Sequence, residues 1–355
     1  MSRWILVACV LVGLLAGGAV VAQEEEECEV GAAPSLSALS GLVEVTPEAT
    51  PCLDPAGALD VSAYKGRIEA ALMAGRFANA LGEMTEIQRV VLPTIPDAFD
   101  QILTAYQAQL AANPDDLIAL IGNGFAQWWV SDYAGAEATF TALLDQMQDS
   151  VYATLFRGSS RLFNGDSEAG EADVARALEL APDNADVHFI AADAYLYALG
   201  DLDRAFEQAS LARDLGLVTP RVNAILATGY MAQGDEAQAT QFFAEHLAAA
   251  TSEYVELEPL AAGQSVTLDF VPGRAFRIPV TAEAGEMLSL ITSSDDGVDT
   301  MAVLLTSTGE LVTSNDDNVD LNAGIVRAVD AADTYLLVIG TFEGAGTGVV
   351  QLVRE

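Results

Sequence analysis

Seven oxygen-bearing side chains in two short stretches near the C-terminus are the densest chemistry in this chain. Asp295, Asp296 and Asp299 form the first stretch, and Asp316, Asp317, Asn318 and Asp320 the second. Calcium is bound by roughly six to eight oxygens from flexible carboxylates and carbonyls, and two such loops meeting at one end of a domain could supply them. The spacing is not that of an EF-hand loop, so it implies no particular coordination geometry. Asp and Asn are also turn formers, because their side chains bond to nearby backbone. The stretches therefore read either as a calcium site or as plain turns. Calcium is the one cofactor suggested, and a real site predicts a melting temperature raised by the ion.

Arg157 and Arg161 are spaced i, i+4 and so share one face of a helix. In a chain this acidic, such a pair could grip a partner's carboxylate, for which the guanidinium fork is well shaped. Cys28 and Cys52 stand alone once an N-terminal targeting segment is set aside. In an oxidising compartment they pair with each other, or one of them pairs with another chain. Nothing here is arranged for catalysis. His188 and His246 lie far apart, and there is no Gly-x-Ser-x-Gly, no phosphate-cradling glycine loop and no His-Glu-x-x-His. Carboxylate pairs are too common in this composition to nominate a glycosidase. The expectation is a protein that is not an enzyme.

The charge balance narrows the partners. Fifteen basic residues stand against 52 acidic ones, for a formal net charge of -37. Such a field repels phosphate backbones and anionic bilayers, which excludes nucleic acid and membrane-surface docking. The acidity reads as a solvated surface that keeps an exported protein soluble, the alternative being attraction of cations or of basic partners. Residues 1–22 read as a signal peptide: Arg3, an apolar run from Trp4 to Val21, and Val20-Val21-Ala22 ahead of Gln23. The run is long enough to leave an uncleaved anchor open. Leu6-Val7-Ala8-Cys9 resembles a lipoprotein box but falls too early in the run. Residues 23–60, opening on Glu24 to Glu27, are expected to be an acidic, flexible leader, and the protein to be secreted or extracytoplasmic.

The elements that must position these side chains are written in repeats. Ser131-Asp132, Gly165-Asp166, Gly200-Asp201 and Gly234-Asp235 recur at spacings of 34, 35 and 34 residues, the period of a helix–turn–helix solenoid. Val151 to Asn184 is the clearest unit, with Gly158 where two helices must approach, Ala177, Leu178 and Leu180 in its second helix, and Pro182 as the stop. Neighbouring units carry Asn123-Gly124, Tyr133, Ala136 and Phe140, then Tyr195, Ala205 and Ala212, then Leu226, Tyr230, Ala239 and Phe243. Over residues 61–250 this pattern resembles the tetratricopeptide repeat family. It departs from that family at Thr154 and His188, where an aromatic is usual. Val61 to Ala112 fits the period poorly and reads as a degenerate repeat plus an extra helix, with Gly75-Arg76-Phe77 as one more turn.

The resemblance implies a concave face lined by first helices that takes a protein or peptide. On that basis the candidate binding residues are Asn123, Gln127, Trp128, Arg157, Arg161, Asp193 and Asn223. The arginines have the alternative of pairing with acids of the neighbouring repeat. Trp128 and Trp129 cannot share one buried stripe, so one of them faces the groove or the rim, with core packing as the alternative reading for the pair.

Residues 251–261 read as a linker, after which the periodicity changes to alternation. Short strands are expected at Val266–Phe270, Phe276–Val280, Met287–Ile291, Met301–Leu305, Ile325–Val329, Tyr335–Ile339 and Val349–Val353. That is the signature of an antiparallel β-sandwich, jelly-roll-like, over residues 262–355. Several runs carry a second resemblance: Ala284-Gly285-Glu286, Asp299 before Met301 to Leu305, Ser307-Thr308-Gly309-Glu310-Leu311, Ser314-Asn315-Asp316-Asp317-Asn318, and Ala332 to Ile339. Together they resemble the bacterial pre-peptidase C-terminal domain. That family implies an accessory module of secreted enzymes and surface proteins, some members touching matrix polymers and some binding calcium. Two functions follow as expectations. One is a secreted adaptor holding a protein in the solenoid and a polymer or surface on the sandwich; the other is a structural or adhesive envelope component with the repeats as spacer.

Overall fold

The computed structural model describes residues 60–354 apart from 75, 93, 262, 295–297, 316–321 and 344–345. The repeating dipeptide turns out to be a two-residue corner. Ser131, Gly165, Gly200 and Gly234 all take positive φ, from 64° to 86°, which ends one helix in the left-handed conformation. The aspartate that follows then starts the next helix. Asp132, Asp166, Asp201 and Asp235 accept hydrogen bonds from the backbone N–H of Gly135, Ala169, Arg204 and Gln238, at 3.0–3.3 Å. Each aspartate thus satisfies a backbone donor left over at a helix start.

Four helix pairs result. They are α4 (Leu117–Trp129) with α5 (Tyr133–Gln146), α6 (Val151–Phe163) with α7 (Ser167–Leu180), α8 (Ala185–Leu199) with α9 (Leu202–Asp214), and α10 (Pro220–Gln233) with α11 (Glu236–Ala250). Small residues set the approach of the paired helices. A Cβ at Gly158 would lie 2.8 Å from the Asp173 Cβ and 3.0 Å from the Gly170 carbonyl oxygen, inside ordinary contact distance. Ahead of the four pairs come α1 (Val61–Met73), α2 (Phe77–Glu86), a π turn at Ile87–Val91 and α3 (Ala98–Ala112). Asp60 caps α1 through the N–H groups of Ser62 and Ala63. The helical part is a tetratricopeptide-like solenoid.

The remaining chain forms two sheets. The first has the order β1-β3-β8-β5-β6 and the second β2-β9-β4-β7. The strands are β1 (Glu253–Glu256), β2 (Ser265–Phe270), β3 (Arg274–Ala282), β4 (Met287–Ser294), β5 (Asp299–Leu305), β6 (Leu311–Asn315), β7 (Gly324–Ala328), β8 (Asp333–Glu343) and β9 (Gly346–Arg354). Leu268, Phe270, Ile278, Val280, Leu290, Leu304, Ile339 and Leu352 share one core drawn from both sheets.

Two expectations are corrected. Residues 253–256, read as linker, are a sheet strand, and β1 runs parallel to β3, with Val255 opposite Phe276. The chain leaves β1, crosses to the second sheet to make β2 and returns, so β3 re-enters in the direction of β1; a hairpin would have reversed it. The C-terminal part is therefore a mixed two-sheet fold, not the all-antiparallel jelly-roll expected. Strand β6 also went unread, since its Leu-Val-Thr-Ser-Asn sequence carries only a brief alternation.

Strand β5 explains how the two halves meet. From Thr300 to Leu305 it is buried at every residue, because both of its faces are covered. Ala302 and Leu304 point to the core shared by the two sheets, while Met301, Val303 and Leu305 meet Phe243, Ala244 and Leu247 of α11. A Cβ at Gly340 would sit 2.7 Å from the Leu247 side chain, and Ser314 donates to the Thr240 carbonyl at 2.8 Å. The last solenoid helix and the five-stranded sheet share a core. Among the described residues no helix is long and apolar enough to cross a membrane.

Candidate functional site on the first helices

The first helices α4, α6, α8 and α10 carry the residues selected from the sequence, and the structure divides them into two sets. Arg157 and Arg161 turn toward the second helices. Arg157 makes a fork to Asp173 of α7, with Nε–Oδ2 and Nη2–Oδ1 both 2.7 Å. Arg161 donates to the same Asp173 at 2.8 Å and to Glu137 of α5 at 2.8 Å. The Asp173 carboxylate thus serves two arginines of α6, and Arg161 links it on to Glu137, so that α5, α6 and α7 are tied together. Asn123 also points inward, donating to Gln127 at 2.9 Å and to Thr139 of α5 at 3.2 Å, while Gln127 accepts from Thr139 at 2.7 Å. Asn223 is fully buried and accepts from Arg213, which in turn pairs with Glu245. Trp128 is a packing residue: its ring lies 5.3 Å from Phe156, and its indole N–H donates to Ser159 at 3.0 Å. Trp129 is only partly buried and packs near Phe99.

Asp193 belongs to the second set. It sits one turn before Tyr197 and two turns after Asp186, a spacing that puts all three on one stripe of α8. Arg221 of α10 reaches across to this stripe, with its Nε 2.5 Å from Asp193 and its guanidinium 4.5 Å from the Tyr197 ring centre. Burial pushes the Asp193 carboxyl above its usual range and the Arg221 charge opposes that shift. Tyr197 of α8 and Met231 of α10 are exposed, at 44% and 46%.

The other end of the same stripe is covered. Phe77, the first residue of α2, is 1% exposed, with its ring 3.5 Å from Tyr152 and 5.4 Å from Phe156 of α6. The next residue, Ala78, donates its backbone N–H to Asp186 of α8 at 2.5 Å, across 108 residues of sequence. Repeats in a solenoid touch only their neighbours. A contact from the leading hairpin to the third helix pair therefore cannot come from stacking. The hairpin α1–α2 lies along the first-helix face, with Leu72 and Phe77 against Phe125, Tyr152 and Phe156. Burial raises the Asp186 carboxyl while the donated N–H groups of Ala78 and of Asp186 itself pull it down.

Tyr152, Asp186, Tyr197 and Arg221 were not picked from the sequence. The signal for three of them was available, since Asp186 and Tyr197 share the stripe of Asp193 and Arg221 opens the next first helix. Of the calcium candidates, Asp299 begins β5, while Asp295, Asp296, Asp316, Asp317, Asn318 and Asp320 lie outside the described residues. Cys28, Cys52 and the signal peptide lie outside them too. Among the described residues no three His, Cys, Asp or Glu side chains gather as a metal site.

No family model and no curated protein matches the chain. Solved structures are similar to parts of it. A tetratricopeptide repeat protein from Parabacteroides merdae shows 20% identity and a TM-score of 0.39, covering 55% of this chain and 81% of that one. TTC0263, a thermophilic TPR protein from Thermus thermophilus, shows 19% identity and a TM-score of 0.37 over 54% and 92%. The pre-peptidase C-terminal domain of a Bacillus anthracis collagenase shows 9% identity and a TM-score of 0.24 over 28% and 93%. At such identities and scores the likeness carries no functional argument.

Proposed function

We propose that the chain is a non-catalytic protein-interaction scaffold, secreted or held in the envelope. Its first-helix face takes a protein or peptide, and its two-sheet part attaches it to a polymer, a surface or a further partner. The observation that carries this reading is Phe77 seated against Tyr152 and Phe156, which makes the face a seat for an α-helical segment. Beyond the hairpin, Tyr197 and Arg221 stand together in a cation–π contact, and Met231 is exposed further along α10. Aromatic and arginine side chains are the groups that most often anchor protein interfaces.

The test is photo-crosslinking in the native host from Tyr197 and, separately, from Met231. A scaffold gives one discrete adduct, the same partner from both positions, and Arg221→Glu weakens it. If no discrete adduct forms and the chain sediments with the envelope, the scaffold reading falls. A structural component with the repeats as spacer then takes its place. The core shared by α11 and the five-stranded sheet favours that second reading, because it stiffens the joint a spacer needs.

A further inference from the structure

Helix α2 begins without a cap of its own. Arg76 occupies the cap position and makes no side-chain hydrogen bond to the first turn, although that turn leaves N–H groups without helical partners. The missing acceptor comes from Asp186, whose carboxylate takes the Ala78 N–H, the donor that a good cap residue ordinarily satisfies. A negative group at this place also suits the positive end of the helix dipole. Directly beside it, Tyr152 and Phe156 enclose the aromatic first residue of the helix. The two halves of the contact belong to one unit, because Asp186 stands at the start of α8 and Tyr152 at the start of α6. Asn184, the cap of α8, donates to the Tyr152 hydroxyl at 3.2 Å, which links them. A small gap borders the seat. A cavity of about 30 Å³ remains among Leu72, Phe77, Phe125, Phe140, Tyr152 and Phe156.

We propose that Asp186, Tyr152 and Phe156 form a receptor for an uncapped helix N-terminus with an aromatic first residue, and that the hairpin α1–α2 is its intramolecular ligand. A partner helix of the same kind displaces the hairpin. The receptor stands on the packing alone; only the identity of the displacing partner rests on the scaffold reading.

The test uses the full chain and, as probe, a fluorescent peptide spanning residues 60–92. Wild-type protein, with its seat occupied, binds the probe weakly. Phe77→Ala in the protein loosens the internal hairpin, so the probe binds at least tenfold more tightly. Adding Asp186→Ala to that variant removes a hydrogen bond to a charged acceptor and returns the affinity by about tenfold or more. A probe carrying Phe77→Ala fails to bind. Equal binding by wild type and Phe77→Ala, or undiminished binding by the double variant, overturns the proposal. Should Phe77→Ala unfold, hydrogen exchange on wild type and on Asp186→Ala decides. The receptor requires faster exchange confined to the first turns of α2, and unchanged exchange there overturns it. None of these results bears on whether Tyr197 and Met231 crosslink to a partner, so the two readings fail separately.

Discussion

Replacing Gly158 by alanine tests whether helix approach, not helix propensity, governs the repeats. In the interior of a free helix the change is favourable by about 0.5–1 kcal/mol, since glycine loses more backbone freedom on folding. At Gly158 the added Cβ meets the Asp173 Cβ at 2.8 Å, the Gly170 carbonyl oxygen at 3.0 Å and the Val174 nitrogen at 3.0 Å. Two of these three atoms are backbone, so no side-chain rotation relieves the contact and α6 must move off α7. Overpacking of this kind costs about 1–3 kcal/mol. Asp173 also holds both Arg157 and Arg161, so its displacement places the cost at the upper end. The net expectation is destabilisation by about 2–2.5 kcal/mol. Gly66 is the control, because in α1 it is exposed and a Cβ there meets nothing within 4 Å. Gly66→Ala is expected to stabilise by about 0.5–1 kcal/mol. Urea unfolding followed by helical circular dichroism reads both variants. A Gly158→Ala midpoint at or above wild type refutes the close-approach reasoning.

Phe243, 3% exposed in the core between α11 and the sheet, should cost about 3–5 kcal/mol when cut to alanine. Because the core is shared, thermal unfolding followed through helix and sheet signals should lose stability in both; a sheet transition that stays put would deny the coupling. His246 is buried with its Nδ1–H donated to the Pro220 carbonyl at 2.8 Å, and burial lowers its pKa from 6.5 to about 4. The unfolded chain then binds the extra proton first, so this contribution is complete above pH 6.5 and is lost as pH falls toward 4. The size is about 3 kcal/mol. His246→Gln should flatten the stability profile in that window, and an unchanged slope would remove the assignment.

The local grammar was readable and the long-range contacts were not. Each Gly-Asp or Ser-Asp pair announced a corner because both residues act within one turn: a left-handed φ, then a carboxylate over the next helix start. Gly158 announced a close approach because its partner is the adjoining helix. Met301 to Leu305 was legible as a strand, but its unbroken apolar run was the mark of two covered faces, and α11 supplies the second cover. Arg157 and Arg161 were placed on one face correctly, yet spacing alone could not say that the face looks at Asp173 and Glu137. The parallel course of β1 depends on where β2 goes, and the Ala78–Asp186 bond spans 108 residues. No periodicity encodes contacts that are made only once.

Both ends of the solenoid are closed by something other than a repeat, and this decides where a partner can bind. Stacked repeats leave an apolar face at each terminus, which ordinarily calls for a capping unit with a polar outer side. Here the last helix turns its apolar residues Phe243, Ala244 and Leu247 onto the five-stranded sheet, so the C-terminal end is covered by β-structure. At the other end the leading hairpin does more than cap. It reaches past α4 to α6 and α8, spending its apolar side, Ile68, Leu72 and Phe77, on the face that open repeats leave for ligands. Tyr197, Arg221 and Met231 stay accessible on the first helices α8 and α10, toward the sheet-capped end. A partner that needs only these residues binds the closed chain. One that needs Tyr152 and Phe156 must first compete with Phe77, and its apparent affinity falls by the fraction of molecules whose hairpin is released.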